Sequence, residues 1–338
     1  MKKTAVAILN WNGVKFLQQF LPTLIQHTPN AEIIVIDNQS TDDSVSFLKK
    51  YPQIRMIQNS ENAGFAKGYN DGLKQIEGEF EYYAIINSDV EVTPNWLSPL
   101  IEKLENNPKV AGVQPKVLAF HNKEFFEHAG ASGGFIDKNF YPFCRGRIFD
   151  KVEKDRGQYD DEMEIFWTTG ACMVVRAETF HALGGFDPDF FAHMEEIDFC
   201  WRVKRRNLSF FVIPSSKVYH VGGGTLNYQS PQKTYLNFRN NLYMIHKNYG
   251  GWLFGKMFFR MCLDGIAGVK YLLSFQPKHT WAIIKAHFSY YGTRTKLHQK
   301  RKKLIQESTV FNSAGLYNTS ILWSFYFKGI RRFRDLNL

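Results

Sequence analysis

Thr4-Ala5-Val6-Ala7-Ile8-Leu9-Asn10-Trp11-Asn12-Gly13 is an apolar run of strand length that breaks into turn residues, and its recurrence along the chain decides the fold. Three more short apolar runs, at 33–36, 54–58 and 82–86, recur within the first hundred residues. Between them lie stretches with helical spacing at 14–25, 42–50 and 65–75. Strands separated by helices of this length are joined by crossovers and pair in parallel, so the expected class is α/β, a mostly parallel sheet flanked by helices. Ser40 or Thr41 is placed to cap the second helix, ahead of Asp42-Asp43 at its positive end. Pro94 sits where a further helix, running to 106, would begin.

Farther along, residues 120–165 dissolve into Gly, Lys, Asp and aromatic residues, which reads as an excursion over the sheet. Order returns with an apolar run at 166–175, a helix from Ala177 to the Gly184-Gly185 break, a second helix starting near Glu195, and short strands at 210–213 and 217–220. After Gln232 the chain reads as helical.

The net charge of +10 is unevenly spread: residues 231–338 hold 18 Lys+Arg against 3 Asp+Glu, a balance of +15, which leaves −5 for residues 1–230. The division expected is therefore 1–230 as a catalytic unit and 231–338 as a basic, aromatic-rich helical segment. A basic block points to anionic lipid, nucleic acid or an acidic substrate. No RNA- or DNA-binding motif accompanies it, so nucleic acid is not expected. With 30 Phe, 16 Tyr and 7 Trp, the chain is rich in residues that stack on sugars or sit at a membrane interface. Residues 252–275 form the one stretch resembling a membrane span, but Lys256, Arg260, Asp264 and Lys270 interrupt it within a stripe of roughly 120°. Two readings stay open for it: a helix lying in an anionic membrane surface, or a helix packed on the first unit with its charged stripe in water.

Cys144, Cys172, Cys200 and Cys262 are widely spaced and form no C-x-x-C pair, which fits a reducing compartment. The apolar run after Met1-Lys2-Lys3 is too short for a secretory leader. A cytoplasmic location is the resulting expectation.

In open α/β sheets, ligands bind beyond the carboxyl ends of the strands. Three polar groups stand there: Asn10-Trp11-Asn12-Gly13, Asp37-Asn38 and Asn87-Ser88-Asp89. Turns also favour these residues, so each alone is weak and their joint placement carries the signal. Asp89 suits a divalent ion bridging two phosphates, with Ser88 donating to the same group, and Asp37 suits a ribose hydroxyl or base N–H. No Gly-rich dinucleotide fingerprint stands after the first strand, which argues against a dehydrogenase. Glu195-Glu196-Ile197-Asp198 opens a helix behind an apolar lead-in, so one carboxylate is a candidate base, against the alternative of a solvated helix start with Asp198 paired to Arg202. His220, ahead of Gly222-Gly223-Gly224-Thr225, is a candidate neutral metal ligand beside a phosphate-approaching loop.

Taken in order, these pieces resemble family 2 glycosyltransferases of the GT-A fold, in the bacterial rhamnosyltransferase-like branch. The resemblance rests on Ala7-Ile8-Leu9-Asn10-Trp11-Asn12-Gly13, Val35-Ile36-Asp37-Asn38-Gln39-Ser40-Thr41-Asp42-Asp43-Ser44, Asn62-Ala63-Gly64-Phe65-Ala66-Lys67-Gly68-Tyr69-Asn70 and Asn87-Ser88-Asp89. It continues through Thr169-Gly170-Ala171-Cys172-Met173, Gly184-Gly185-Phe186-Asp187, Glu195-Glu196-Ile197-Asp198-Phe199-Cys200-Trp201-Arg202 and Tyr219-His220-Val221-Gly222-Gly223. It implies that Asn10, Trp11, Asp37, Asn62, Ser88 and Asp89 face the nucleotide-sugar donor and that Asp89 ends a metal-binding Asp-x-Asp element. Glu196 would fill the base position beside Glu195, and His220 would lie near the metal and diphosphate. Asn87 replaces the first Asp of the metal element, and Glu196 stands where the family has Asp. The implied cofactor is Mg²⁺ or Mn²⁺, the implied donor a dTDP-, UDP- or GDP-linked sugar, and the implied acceptor a saccharide or lipid-linked saccharide. Processive relatives carry a Gln-x-x-Arg-Trp element and spanning helices, which this sequence lacks, so one sugar per encounter is expected. A catalytically silent sugar-nucleotide-binding module is the rival reading, opposed by the presence of both acids at 195 and 196.

Overall fold

The computed structural model describes residues 2–222, 230–308 and 310–338. The first half builds β1 (Thr4–Asn10), α1 (Val14–His27), β2 (Glu32–Asp37), α2 (Ser44–Leu48), β3 (Arg55–Gln58), α3 (Gly64–Lys74), β4 (Tyr82–Asn87), β5 (Val90–Val92), α4 (Ser98–Asn106) and β6 (Val110–Ala119). Short strands come next: β7 (Gly134–Asp137), β8 (Pro142–Cys144), β9 (Arg147–Ile148), β10 (Lys151–Val152) and β11 (Met163–Ile165). Then come β12 (Cys172–Arg176), α5 (Ala177–Ala182), α6 (Glu195–Lys204) and β13 (Ser209–His220). The last third holds α7 (Pro231–Asn248), α8 (Leu253–Leu273), α9 (Pro277–Gln306), β14 (Leu316–Tyr317) and α10 (Ile321–Tyr326).

β3, β2, β1 and β4 lie side by side in parallel, as the alternating pattern predicts. The nine-stranded sheet continues from β4 through β12, β6 and β13 to β11, with β12 antiparallel to both neighbours and β5 pairing β13. β1, β2 and β4 are buried on both faces, the expected state of central strands covered by crossover helices.

Several local expectations need correction. Ser40 does not cap α2; its hydroxyl accepts from the Asn12 N–H at 2.9 Å and from Asn10 Nδ2 at 3.1 Å, so it ties two loops together. The helix after Pro94 starts only at Ser98, with Pro99 in its first turn. The apolar run at 166–175 leaves the end of β11, crosses a turn and enters β12. Residues 210–213 and 217–220 belong to a single strand, β13, irregular between Ile213 and Lys217. The excursion at 120–165 carries β7 to β10, which with β14 form a second, five-stranded sheet.

The hydrophobic core does not stop at residue 230. One cluster joins Phe186, Phe199 and Trp201 to Leu242, Tyr243 and Ile245 of α7, and to Tyr290, Tyr317, Ile321 and Phe333 beyond. α8 is turned opposite to the reading that puts its charged stripe in water, and an outward apolar face stays compatible with the membrane-surface reading. Arg260 and Asp264 are buried, Arg260 Nε donating to Asp264 Oδ1 at 2.8 Å while its guanidinium lies 3.9 Å from the Tyr141 ring. Lys256 is half-buried and donates to the Lys138 carbonyl at 3.0 Å. The apolar face points outward.

Candidate functional site

β1, β2 and β4 end at the same sheet edge because Asn10 pairs with Asp37 and Leu9 with Asn87 in parallel register. Asn10 Nδ2 donates to Asp37 Oδ1 at 3.1 Å, and the Ser40 N–H donates to Asp37 Oδ2 at 2.9 Å. Asp37 is fully buried, yet each oxygen keeps a lone pair for a further donor. Asn12, at φ 50°, accepts from the Thr41 N–H at 2.7 Å and so clamps the first turn to the second. Gly13 is required there: a Cβ would meet Asn10 Oδ1 at 2.5 Å and Ser88 Oγ at 3.7 Å, which also places Ser88 beside Asn10. Asn62 Oδ1 accepts from Asn38 Nδ2 at 2.9 Å, fixing the loop before α3. Trp11 stands 48% exposed at the rim.

Just past the end of β4, Asp89 is brought to His220 because Val90 of β5 pairs with His220 of β13. Asp89 Oδ1 and His220 Nε2 are 3.2 Å apart, and Glu127 Oε2 lies 3.5 Å from His220 Nδ1. Burial by itself would lower the His220 pKa, but the carboxylates of Asp89 and Glu127 overcome it and raise it to about 10. Burial likewise opposes ionisation of Glu127, and the hydrogen bonds and charge of His220 outweigh it, pulling Glu127 down to about 2. An ion would have to displace the His220 Nε2 proton; it would then find one carboxylate oxygen and one imidazole nitrogen at a spacing a single ion can span, with Glu127 on the Nδ1 side. Among the described residues no group of three or more His, Cys, Asp or Glu side chains is arranged to hold a metal ion by itself, so the remaining ligands would be donor oxygens and water. Gly223, Gly224 and Thr225 of the glycine run lie outside the described residues.

Glu195 and Glu196 open α6 behind a constrained loop. Phe191, His193 and Met194 take φ of 63°, 70° and 71°, positive values that are uncommon outside glycine. α7 holds this loop from below: Asn240 Nδ2 donates to the carbonyls of Phe190, Ala192 and His193 at 2.9, 2.8 and 2.7 Å. From above, the Phe65 N–H donates to the Phe191 carbonyl at 2.8 Å, and a Cβ on Gly64 (φ 82°) would strike the Phe191 ring at 2.6 Å.

The solvated-helix reading of this turn does not hold. Glu195 is 4% exposed and Asp198 is fully buried. Asp198 is neutralised, accepting from Arg202 Nε at 2.9 Å, from Asn248 Nδ2 at 2.8 Å and from Lys247 Nζ at 3.0 Å, while Lys247 also reaches Asp187. Glu195 and Glu196 each keep a buried carboxyl oxygen with no hydrogen-bond partner among the described residues. Burial pushes Glu196 up to about 7, and burial together with the neighbouring charge of Glu196 raises Glu195 well above the carboxylate range. Glu196 Cβ lies 4.0 Å from where a Cβ on Gly170 would stand, and the Ala171 carbonyl accepts from the Asn87 N–H at 3.0 Å. A short turn therefore links the acid pair to the Asn87-Ser88-Asp89 element. A cavity of about 990 Å³, lined by Thr4, His27 and Pro94, opens at the opposite end of β1 and holds none of these groups.

Glu127, Asn240 and Lys247 are absent from the sequence reading. Glu127 lies in the irregular excursion, and the two α7 residues lie in a segment read only for its charge; no local pattern marks any of them.

A mixed sheet with polar turns at the ends of β1, β2 and β4 and an Asp–His pair at the β5 and β13 junction is an architecture of the GT-A class. The chain belongs to glycosyl transferase family 2, whose model matches residues 5–182. It is similar to N-acetylglucosaminyl-diphospho-decaprenol L-rhamnosyltransferase of Mycobacterium tuberculosis, with 22% identity over 231 residues, 64% of this chain and 75% of the relative. Among solved structures it is similar to GalNAc-T7 with UDP, GalNAc and Mn²⁺, with TM-score 0.57 and 17% identity, covering 73% of this chain and 48% of that one. It is also similar to a mannosyltransferase of Pyrobaculum calidifontis in complex with GDP-Man and Mn²⁺, with TM-score 0.52 and 14% identity, covering 90% and 85% of the two chains.

Proposed function

We propose that this protein transfers one sugar per encounter, with inversion, from a dTDP-, UDP- or GDP-linked donor to a saccharide or lipid-linked saccharide acceptor in cell-surface polysaccharide synthesis. It would work from the cytoplasm at the inner face of the plasma membrane. The observation that carries the reading is Glu196: a half-buried acid whose one buried carboxyl oxygen is unpartnered and whose pKa is raised to about 7, set beside the turn that leads to Asp89. A general base works best when its pKa lies near the working pH. In this reading Glu196 accepts the proton of the acceptor hydroxyl as that oxygen attacks the anomeric carbon, and a single displacement inverts configuration. Asp37, Asn10 and Asn62 hold the nucleoside, with Trp11 at the rim and Ser88 donating to phosphate. Asp89 and His220 would hold Mg²⁺ or Mn²⁺, which when bound supplies positive charge to the departing diphosphate. A silent binding module has no need of an unneutralised buried acid.

The test combines a panel of nucleotide sugars with Mn²⁺ or Mg²⁺. At ~100 times its dissociation constant the right donor should add about 2.7 kcal/mol to stability, and EDTA should remove the gain. Asp89→Ala is expected to lose both this response and turnover; equal turnover of the variant with and without EDTA would exclude the metal role.

A further inference from the structure

α8 buries Arg260 and Asp264 and exposes most of its large apolar side chains. Met257, Arg260, Asp264 and Gly268 face the protein. Phe254, Phe258, Ile266, Val269, Leu272 and Leu273 are exposed and, at 100° per residue, fall within about 120° of one another on the opposite side. α9 repeats the arrangement over its first half: Trp281, Ile284, Phe288 and Tyr291 are exposed, while Ala282, Ile283, Ala286 and Tyr290 are buried. The stripes adjoin where the Tyr291 hydroxyl meets Met261 Sδ at 3.3 Å. On the other flank, Lys270 Nζ lies 5.4 Å from the ring of Tyr326, and α10 adds Trp323 stacked on Phe327 at 4.3 Å. Phe254 is 71% exposed, Phe288 70% and Phe327 73%, far beyond the single exposed apolar residues a soluble surface normally scatters.

Two observations say what covers this face. Exposed Lys270, Lys278, Lys285 and Lys328 stand on the same elements or just past them. Beyond α10, a groove of about 350 Å³ is lined by Lys151, Lys154, Arg156, Arg331, Arg332 and Arg334, with Glu153 also on its wall. Arg331 lies 3.9 Å over the Phe325 ring of α10, so the basic groove abuts the apolar face. An apolar aromatic face with a basic border complements a leaflet of acyl chains beneath anionic phosphates. Pairing with a second copy would instead oppose two strongly basic segments. No described helix is long and apolar enough to cross a membrane.

We propose that α8, the first half of α9 and α10 form a monotopic surface that inserts into one leaflet of an anionic phospholipid bilayer. The proposal deepens the membrane part of the function above and does not depend on the transfer chemistry. Attachment by charge alone is released by salt, because exposed charges are screened within a Debye length of ~3 Å at 1 M. Inserted aromatic side chains hold on. The experiment is flotation of the full-length protein with phosphatidylethanolamine–phosphatidylglycerol vesicles, loaded at low salt and washed at about 1 M NaCl. The protein should stay bound, and the combined variant Phe254→Ser, Phe258→Ser, Phe288→Ser should lose ~10-fold or more of its binding, because it removes three aromatic side chains that would leave water for the acyl region. The variant's nucleotide-sugar thermal shift, unchanged, shows that it is folded and reads the donor site separately. Release of the unaltered protein by salt overturns insertion. A lipid-free dimer that the same substitutions dissociate, with no vesicle binding at either salt, assigns the face to a second copy and overturns it equally.

Discussion

The first turn of α6 and the middle of α8 both bury acids, and they treat them in opposite ways. Asp264 has Arg260 four residues before it on the same helix. Asp198 has Arg202 four residues after it, and Lys247 and Asn248 besides. Among the described residues, Glu195 and Glu196, one turn from Asp198, have no cation against them. Burying a charge is costly unless it is paired, and a carboxyl left without a partner keeps its proton to a higher pH instead. Within one helix, the paired acid therefore fixes the loop and the unpaired acids stay available for proton transfer.

The largest expected effect lies on the paired side. Lys247→Met removes the cation between Asp187 and Asp198 and leaves two buried carboxylates short of a partner, although Lys300 and Arg202 remain. A stability loss of ~3–5 kcal/mol by urea denaturation is the expectation for breaking a buried pair. A change below about 1 kcal/mol, the range of an exposed pair, would mean that the remaining cations suffice and that the contrast with Glu196 is one of degree.

On the unpaired side, Glu196→Gln is expected to keep donor binding and to lower transfer by ~10²-fold or more. Glu195→Gln should cost less if Glu195 orients the pair rather than taking the proton. The reverse order would move the base to Glu195 and shift the reading of the acid pair by one residue.

The smallest effect sharpens the comparison through pH. The folded-state pKa of Glu196 is raised, to about 7, so the stability it permits is complete below the unfolded carboxyl value and is lost as pH rises through 7. Glu196→Gln should therefore melt a few degrees higher than the unaltered protein at pH 8 and close to it at pH 5. The rate of transfer should run the other way, falling as pH drops below about 7 because the base becomes protonated. A variant that melts lower at pH 8 would show that the carboxylate is stabilised by contacts rather than held in readiness.

Much of the edge was legible before any coordinates. The alternation of apolar runs and helical spacing predicts parallel strands joined by crossover helices, and packing then selects the order β3, β2, β1, β4. Strand ends then carry Asn10, Asp37 and Asn87-Ser88-Asp89 to one place, since ligand-facing turns lie at the carboxyl ends of such strands. The pairing of Asp89 with His220 needed the register of β5 on β13, and Glu127 joined them from a segment with no periodic pattern.

Periodicity and counting along the chain are thus enough for the α/β class, the strand-end turns and the excess of positive charge after residue 230, because these are local or additive properties. Which acids are neutralised and which way α8 faces were settled by packing, because both depend on partners far away in the chain: Lys247 for Asp198, Asn241 and Tyr141 for Arg260. A helical wheel separates the charged stripe from the apolar one, but it is symmetric with respect to inside and outside. The buried Arg260–Asp264 pair breaks that symmetry, drawing the charges inward where each has a partner and leaving the aromatic face to the exterior.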